Sequence, residues 1–104
     1  MAVAEVSIVP VGTPSPSLSE YVAGCIAILD SAEGITYQLN PMGTVIEGEL
    51  DRVLEVVRRM HEHPFTKGVE RVVTTVRVDD RRDKKLTMAG KVAAVEARLR
   101  QGQQ

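Results

Sequence analysis

Two short runs, ITYQLN (35–40) and TVIEGE (44–49), face each other across Pro41-Met42-Gly43. In the first, Ile35, Tyr37 and Leu39 alternate with Thr36, Gln38 and Asn40. Period-two alternation of β-prone residues reads as strand, and a Pro/Gly turn between two such runs reads as a hairpin. After the hairpin, Leu50, Val53, Leu54, Val57 and Met60 recur at i, i+3, i+4, i+7 and i+10, which predicts an amphipathic helix over 50–63. Pro64 and Gly68 mark its end. Before the hairpin, Leu18, Val22, Cys25, Ile26 and Leu29 form a second helical stripe reaching Ala32. Ser17 and Glu20 have capping-box spacing at its start, and Gly34 is placed to stop it.

The outer segments complete the pattern. VAEVSIVPV (3–11) and ERVVTTVRV (70–78) read as strands. The order β-α-β-β-α-β specifies an α+β fold of ferredoxin-like topology, with helices on one face of a four-stranded antiparallel sheet. Thr87 is placed to cap an added C-terminal helix running to about Leu99. Its Met88, Val92, Val95 and Leu99 form a narrow stripe at 4-3-4 spacing. With 104 residues, one domain over 1–100 and a frayed tail at 101–104 are expected.

Alternation also assigns the faces. Val6, Ile8, Ile35, Tyr37, Leu39, Ile46, Val72 and Val76 are expected on the helix side. Glu5, Ser7, Val9, Thr36, Gln38, Val45, Glu47, Arg71, Val73, Thr75 and Arg77 fall on the far side, which this chain leaves uncovered. That mixture of valines, hydroxyls and balanced charge is too apolar for a plain solvated face and too polar for a greasy interface. It fits a face covered by another copy of the chain, and the narrow stripe of the last helix fits packing on one neighbour.

Several functions are disfavoured. A net charge of -1 gives no general attraction to nucleic acid or anionic membranes. The start MAVAEVSIVP has no basic leader and Glu5 interrupts its apolar run, which argues against a signal peptide; no stretch reaches transmembrane length, and a single cysteine fits a reducing cytoplasm, the expected location. The lone Cys25 lies within an apolar stripe and reads as a small buried hydrophobe. His61 and His63 are two apart at a helix end, so they do not share a face and make a poor metal pair. No nucleophile–base constellation suggests an enzyme. The charged stretch DDRRDKK (79–85) interleaves acids and bases and reads as a self-paired loop.

The runs EVSIVPVGT, SLSEYV, YQLNPMGTVIEGE and RVVTTVRVDDRRDKKLTMAGKV, in this order, resemble the small thiamine-binding (YkoF-like) family over nearly the whole chain. The resemblance implies a ferredoxin-like domain forming homodimers and tetramers (a dimer of dimers) through its sheets. It also implies binding of thiamine or its hydroxymethylpyrimidine part without turnover; no cofactor or metal is expected from the residues. The candidate contacts are Ser7, Tyr37, Asn40, Thr44, Glu47 and Thr75. Thiamine carries a thiazolium cation, which a carboxylate such as Glu47 would favour. Its aminopyrimidine offers a donor–acceptor edge that hydroxyls and an amide can read. Each residue also has a structural reading. Asn40 suits a turn before Pro41, Thr44 and Thr75 suit strands, Tyr37 suits the core, and Glu47 suits solvent or an inter-subunit salt bridge. The alternative function is a regulatory or structural oligomer whose sheet face serves assembly only.

Overall fold

In the computed structural model, residues 1–102 are described. Strands β1 (Ala2–Val11), β2 (Thr36–Asn40), β3 (Gly43–Gly48) and β4 (Arg71–Asp80) form one sheet in the order β2-β3-β1-β4. Every neighbouring pair is antiparallel. Helices α1 (Ser19–Ser31) and α2 (Leu50–Glu62) pack on one face, as the ferredoxin-like pattern requires. A 3-10 turn (His63–Lys67) follows α2 and closes at Gly68, whose φ of 84° places it in the left-handed region that glycine tolerates. Helix α3 (Met88–Gly102) comes last.

The core lies between the helices and the sheet. Ala4, Val6 and Ile46 meet Cys25 and Leu29 of α1 and Val53, Val56, Val57 and Met60 of α2. Ile8, Ile35, Tyr37 and Val76 pack against that cluster from the expected side of the sheet. Ile46, Leu29 and Val53 lose essentially all their exposure. Aliphatic burial of this kind contributes about 1.5–3 kcal/mol per side chain.

Several local expectations are corrected. Leu39 is 55% exposed and Leu54 48% exposed, while Val56, outside the expected stripe, is buried. The buried set Val53, Val56, Val57 and Met60 is itself an i, i+3, i+4, i+7 stripe. Packing against α1 as well as the sheet rotates α2 so that Leu54 lies at its flank. Leu39 sits on the edge strand β2, where no further strand covers it. The Ser17–Glu20 capping box does not form. Helix α1 begins at Ser19 with Leu18 as N-cap, and the Ser17 N–H donates to Ser15 Oγ at 3.1 Å instead. The cap on α3 does form: the Gly90 N–H donates to Thr87 Oγ1 at 2.9 Å. Residues 101 and 102 belong to α3, and 103–104 of the expected tail lie outside the described residues.

The far face of the sheet is not bare. The first turn of α3 lies over it, and Val3, on that face of β1, is only 8% exposed. The rest of α3 projects away, with Val92, Val95 and Leu99 each more than half exposed.

Candidate ligand-binding site

Glu47 explains how α3 is held. It stands on the far face of β3, directly opposite Thr36 of β2 in the strand register. Its Oε1 accepts the Thr36 hydroxyl at 2.5 Å, and its Oε2 accepts the backbone N–H of Met88 at 2.7 Å. A helix start offers unpaired N–H groups and the positive end of its dipole, so a carboxylate there is favoured. The Thr36 hydrogen bond first, the Met88 N–H second and the charge of Lys85 last all lower the Glu47 pKa, against partial burial. Both oxygens are thus engaged within the chain.

Two clefts of ligand size flank the β2–β3 hairpin. The first, about 480 Å³, lies on the far face under α3, between Val3, Gln38 and Val45 below and Met88 and Val92 above. Its rim is charged but internally paired. Lys91 donates to Asp79 at 2.5 Å, and Arg77 stands 3.9 Å from Glu5.

The second cleft, about 370 Å³, lies on the helix side at the end of the sheet where β1, the start of α1 and the hairpin converge. Val6, Ile8, Leu18 and Val22 supply apolar walls, with Cys25 and Met60 at the base. Thr44 alternates to its side of the sheet, while Ser7 and Asn40 line it with side chains that alternate to the far face, where Asn40 Oδ1 accepts from the Gln38 amide at 3.2 Å; every residue lining it is uncharged. Gly43 matters here, because a Cβ at that position would stand only 3.1 Å from the Val6 carbonyl oxygen. A larger residue there would require the Val6 carbonyl to give way by a few tenths of an ångström. Burial raises the Cys25 pKa, and its thiol donates weakly to the Met60 carbonyl at 3.6 Å, which marks it as structural. An apolar cavity of a few hundred Å³ with a small number of convergent polar groups is the usual form of a small-molecule site.

The six candidate residues are therefore divided. Ser7, Asn40 and Thr44 all line the hairpin cleft, but of the three only Thr44 alternates to the helix side, and Asn40 also lines the cleft under α3. Thr75 is the β4 partner of Ser7 but lines neither cleft. Tyr37 points to the helix side, where its hydroxyl donates to Asp30 at 2.5 Å, the main cause of its raised pKa. Glu47 lines neither cleft and holds α3. Sequence reasoning missed the α3 roof of the far-face cleft, because the contact joins residues 41 positions apart.

The two histidines diverge. His61 Nδ1 lies 2.7 Å from Thr74 Oγ1 on β4, whereas the His63 ring packs against Gly24 of α1. Among the described residues no group of three His, Cys, Asp or Glu is placed to hold a metal ion. The loop after β4 is self-paired, Arg81 with Asp83 and Arg82 with Asp80. No helix among the described residues is long and apolar enough to cross a membrane.

A ferredoxin-like sheet with two helices on one face and ligand-sized clefts beside its β2–β3 hairpin defines the protein as a small α+β domain. The chain belongs to the thiamine-binding protein family, which matches it over residues 4–96. The UPF0045 protein YqgV of Bacillus subtilis is 52% identical over 102 residues, covering 95% of this chain and 98% of that one. A UPF0045 protein of Methanothermobacter thermautotrophicus is 39% identical over 100 residues, covering 95% of this chain and all of that one. Among solved structures, hypothetical protein MJ1052 of Methanocaldococcus jannaschii superposes with a TM-score of 0.82 at 37% identity, covering 91% of this chain and 95% of that one. A Thermotoga maritima protein named for a suspected role in thiamine biosynthesis or salvage shares the fold, with a TM-score of 0.72 at 21% identity and coverage of 90% and 97%.

Proposed function

We propose that this protein is a non-enzymatic cytoplasmic binder of thiamine or its hydroxymethylpyrimidine part, working as a homo-oligomer. The observation that carries this is the uncharged hairpin cleft, in which Thr44 stands among apolar walls. An uncharged wall suits a neutral aminopyrimidine ring, whose donor–acceptor edge the Thr44 hydroxyl and free backbone groups of the hairpin can read. The thiazolium cation then stays at the mouth, in water, where it needs no buried counter-ion. Membership of a family named for thiamine binding supports the same ligand class. Homo-oligomerisation is supported by the exposed α3 stripe and by Val9 and Val73 of the far face, 39% and 46% exposed. Those same valines favour, as a second reading, an oligomer whose far face serves assembly alone.

Thermal melting with and without ligand separates the two. Thiamine or its pyrimidine at a hundredfold over the dissociation constant should add about 2.7 kcal/mol of stability. Melts unmoved by thiamine, its pyrimidine and its phosphates would leave assembly as the better account.

A further inference from the structure

Helix α1 is apolar on two sides. Cys25 and Leu29 turn into the core, while Ala23, Ile26 and Ala27 line an open groove of about 790 Å³ between α1 and the edge strand β2. Val22, Leu39, Asn40 and Pro41 line both this groove and the hairpin cleft, so the two run into one another. Val22 and Leu39, 38% and 55% exposed, are their shared apolar wall. Of all the residues lining either space, Asp30 alone is charged. It lies eight positions beyond Val22, about 12 Å along the helix. Its Oδ1 accepts the Tyr37 hydroxyl, and its Oδ2 has no hydrogen-bond partner among the described residues.

Asp30 also sits where a carboxylate disfavours its own helix. It is in the last turn of α1, at the negative end of the dipole, and no basic side chain of that turn offsets it. Local rules of this kind are broken where a site requires it. The first 51 residues contain no Lys, Arg or His, and Lys67, which reaches α1 from the 3-10 turn, pairs with Glu20 at 3.6 Å.

We infer that this groove is the cation subsite of the hairpin cleft: it takes the thiazolium end of a ligand whose pyrimidine lies in the cleft, with Asp30 as the counter-charge, and it selects thiamine over thiamine phosphate. This rests on the thiamine-binding reading above and extends it to the other half of the ligand. The apolar trough suits a flat ring, and its open side leaves the fixed charge in water. Ile26 stands one helical turn before Asp30, so a ring over Ile26 is about 6 Å from the carboxylate. Unit charges at that distance near a protein surface change affinity about three- to tenfold. A phosphate on the thiazolium's hydroxyethyl arm meets the same carboxylate and finds no base lining the groove.

Calorimetric titration of hydroxymethylpyrimidine, thiamine and thiamine phosphate into the wild type, Asp30→Asn and Ala27→Lys tests this. Asparagine still accepts the Tyr37 hydroxyl, and position 27 is exposed, so Ala27→Lys adds a cation to the groove without touching the Asp30–Tyr37 bond. Thiamine should bind about three- to tenfold more weakly to either variant, with a smaller salt dependence in Asp30→Asn. The neutral pyrimidine should bind all three proteins alike. The wild type should prefer thiamine to its phosphate, and both variants should narrow that preference. Pyrimidine binding with thiamine affinity equal in all three proteins would overturn the cation subsite and leave the cleft standing. Absence of binding by both pyrimidine and thiamine would overturn the cleft and the subsite together.

Discussion

Glu47 and Met88, 41 positions apart, are joined by a 2.7 Å hydrogen bond in which the backbone N–H at the start of α3 donates to the carboxylate. This contact fixes the last helix to the sheet and roofs the far-face cleft. A carboxylate at a helix N-terminus contributes about 0.5–2 kcal/mol. Glu47→Ala is expected to release the first turn of α3. Hydrogen exchange at the Met88 amide should rise while the β1–β3 amides stay protected.

The same group predicts a pH response. Hydrogen bonds from Thr36 and Met88 depress the Glu47 pKa in the folded protein. A depressed acid contributes its stability fully above the ordinary glutamate value of about 4.3 and loses it as pH falls through the folded value. Docking of α3 should therefore be constant through neutral pH and weaken only in acid. Proteolysis within 81–88, sampled between neutral and acid pH, checks this, and Glu47→Gln should flatten the profile.

Gly24 and His63 form a tight packing pair. A Cβ at position 24 would fall on the His63 ring, whose Nε2 is buried without a hydrogen-bond partner among the described residues. Gly24→Ala should cost about 1–3 kcal/mol, in the range of overpacked sites. At roughly 4–8 °C per kcal/mol for a domain near this size, calorimetry would see it clearly. Adding His63→Ala should recover part of the loss, the signature of direct contact in a double-mutant cycle.

Cys25 is 4% exposed at the base of the hairpin cleft, and burial raises its pKa. Its thiol should react with a disulfide reagent only when the protein unfolds. Labelling rates measured across a denaturant series should follow global unfolding. Fast labelling under native conditions would mean that the cleft opens to its base.

Ile46 lies on the central strand β3 with no exposed surface. Ile46→Ala should cost about 2–5 kcal/mol, as buried aliphatic truncations do. The denaturation midpoint should fall without a change in slope.

The sequence carried the fold because its strongest signals are local. The Pro41-Met42-Gly43 turn, the period-two runs around it and the apolar stripe of α2 each follow from a few neighbouring residues. The misplaced details are those that neighbours do not determine. Nothing near Leu54 or Val56 tells which will face α1, and nothing near Leu39 tells that β2 is an edge. Ser17 and Glu20 satisfy a local pattern, yet the chain leaving the Pro14–Pro16 loop takes Leu18 rather than Ser17 as its N-cap. At the candidate site, the alternation that sets Ser7 on the far face was legible, whereas the packing of Thr44 between β1 and the hairpin was not. The occupation of Glu47 by Met88 required the path of the 81–87 loop, which charge composition does not encode.

The most direct test of the hairpin cleft is calorimetric titration of hydroxymethylpyrimidine and of thiamine into the wild type and into Thr44→Val. Saturable binding of about one ligand per chain is expected. Loss of the hydroxyl at a site only 5% exposed should weaken it about tenfold, the equivalent of one hydrogen bond. No heat from either ligand, or equal affinity in both proteins, would contradict a ligand held between β1, α1 and the hairpin.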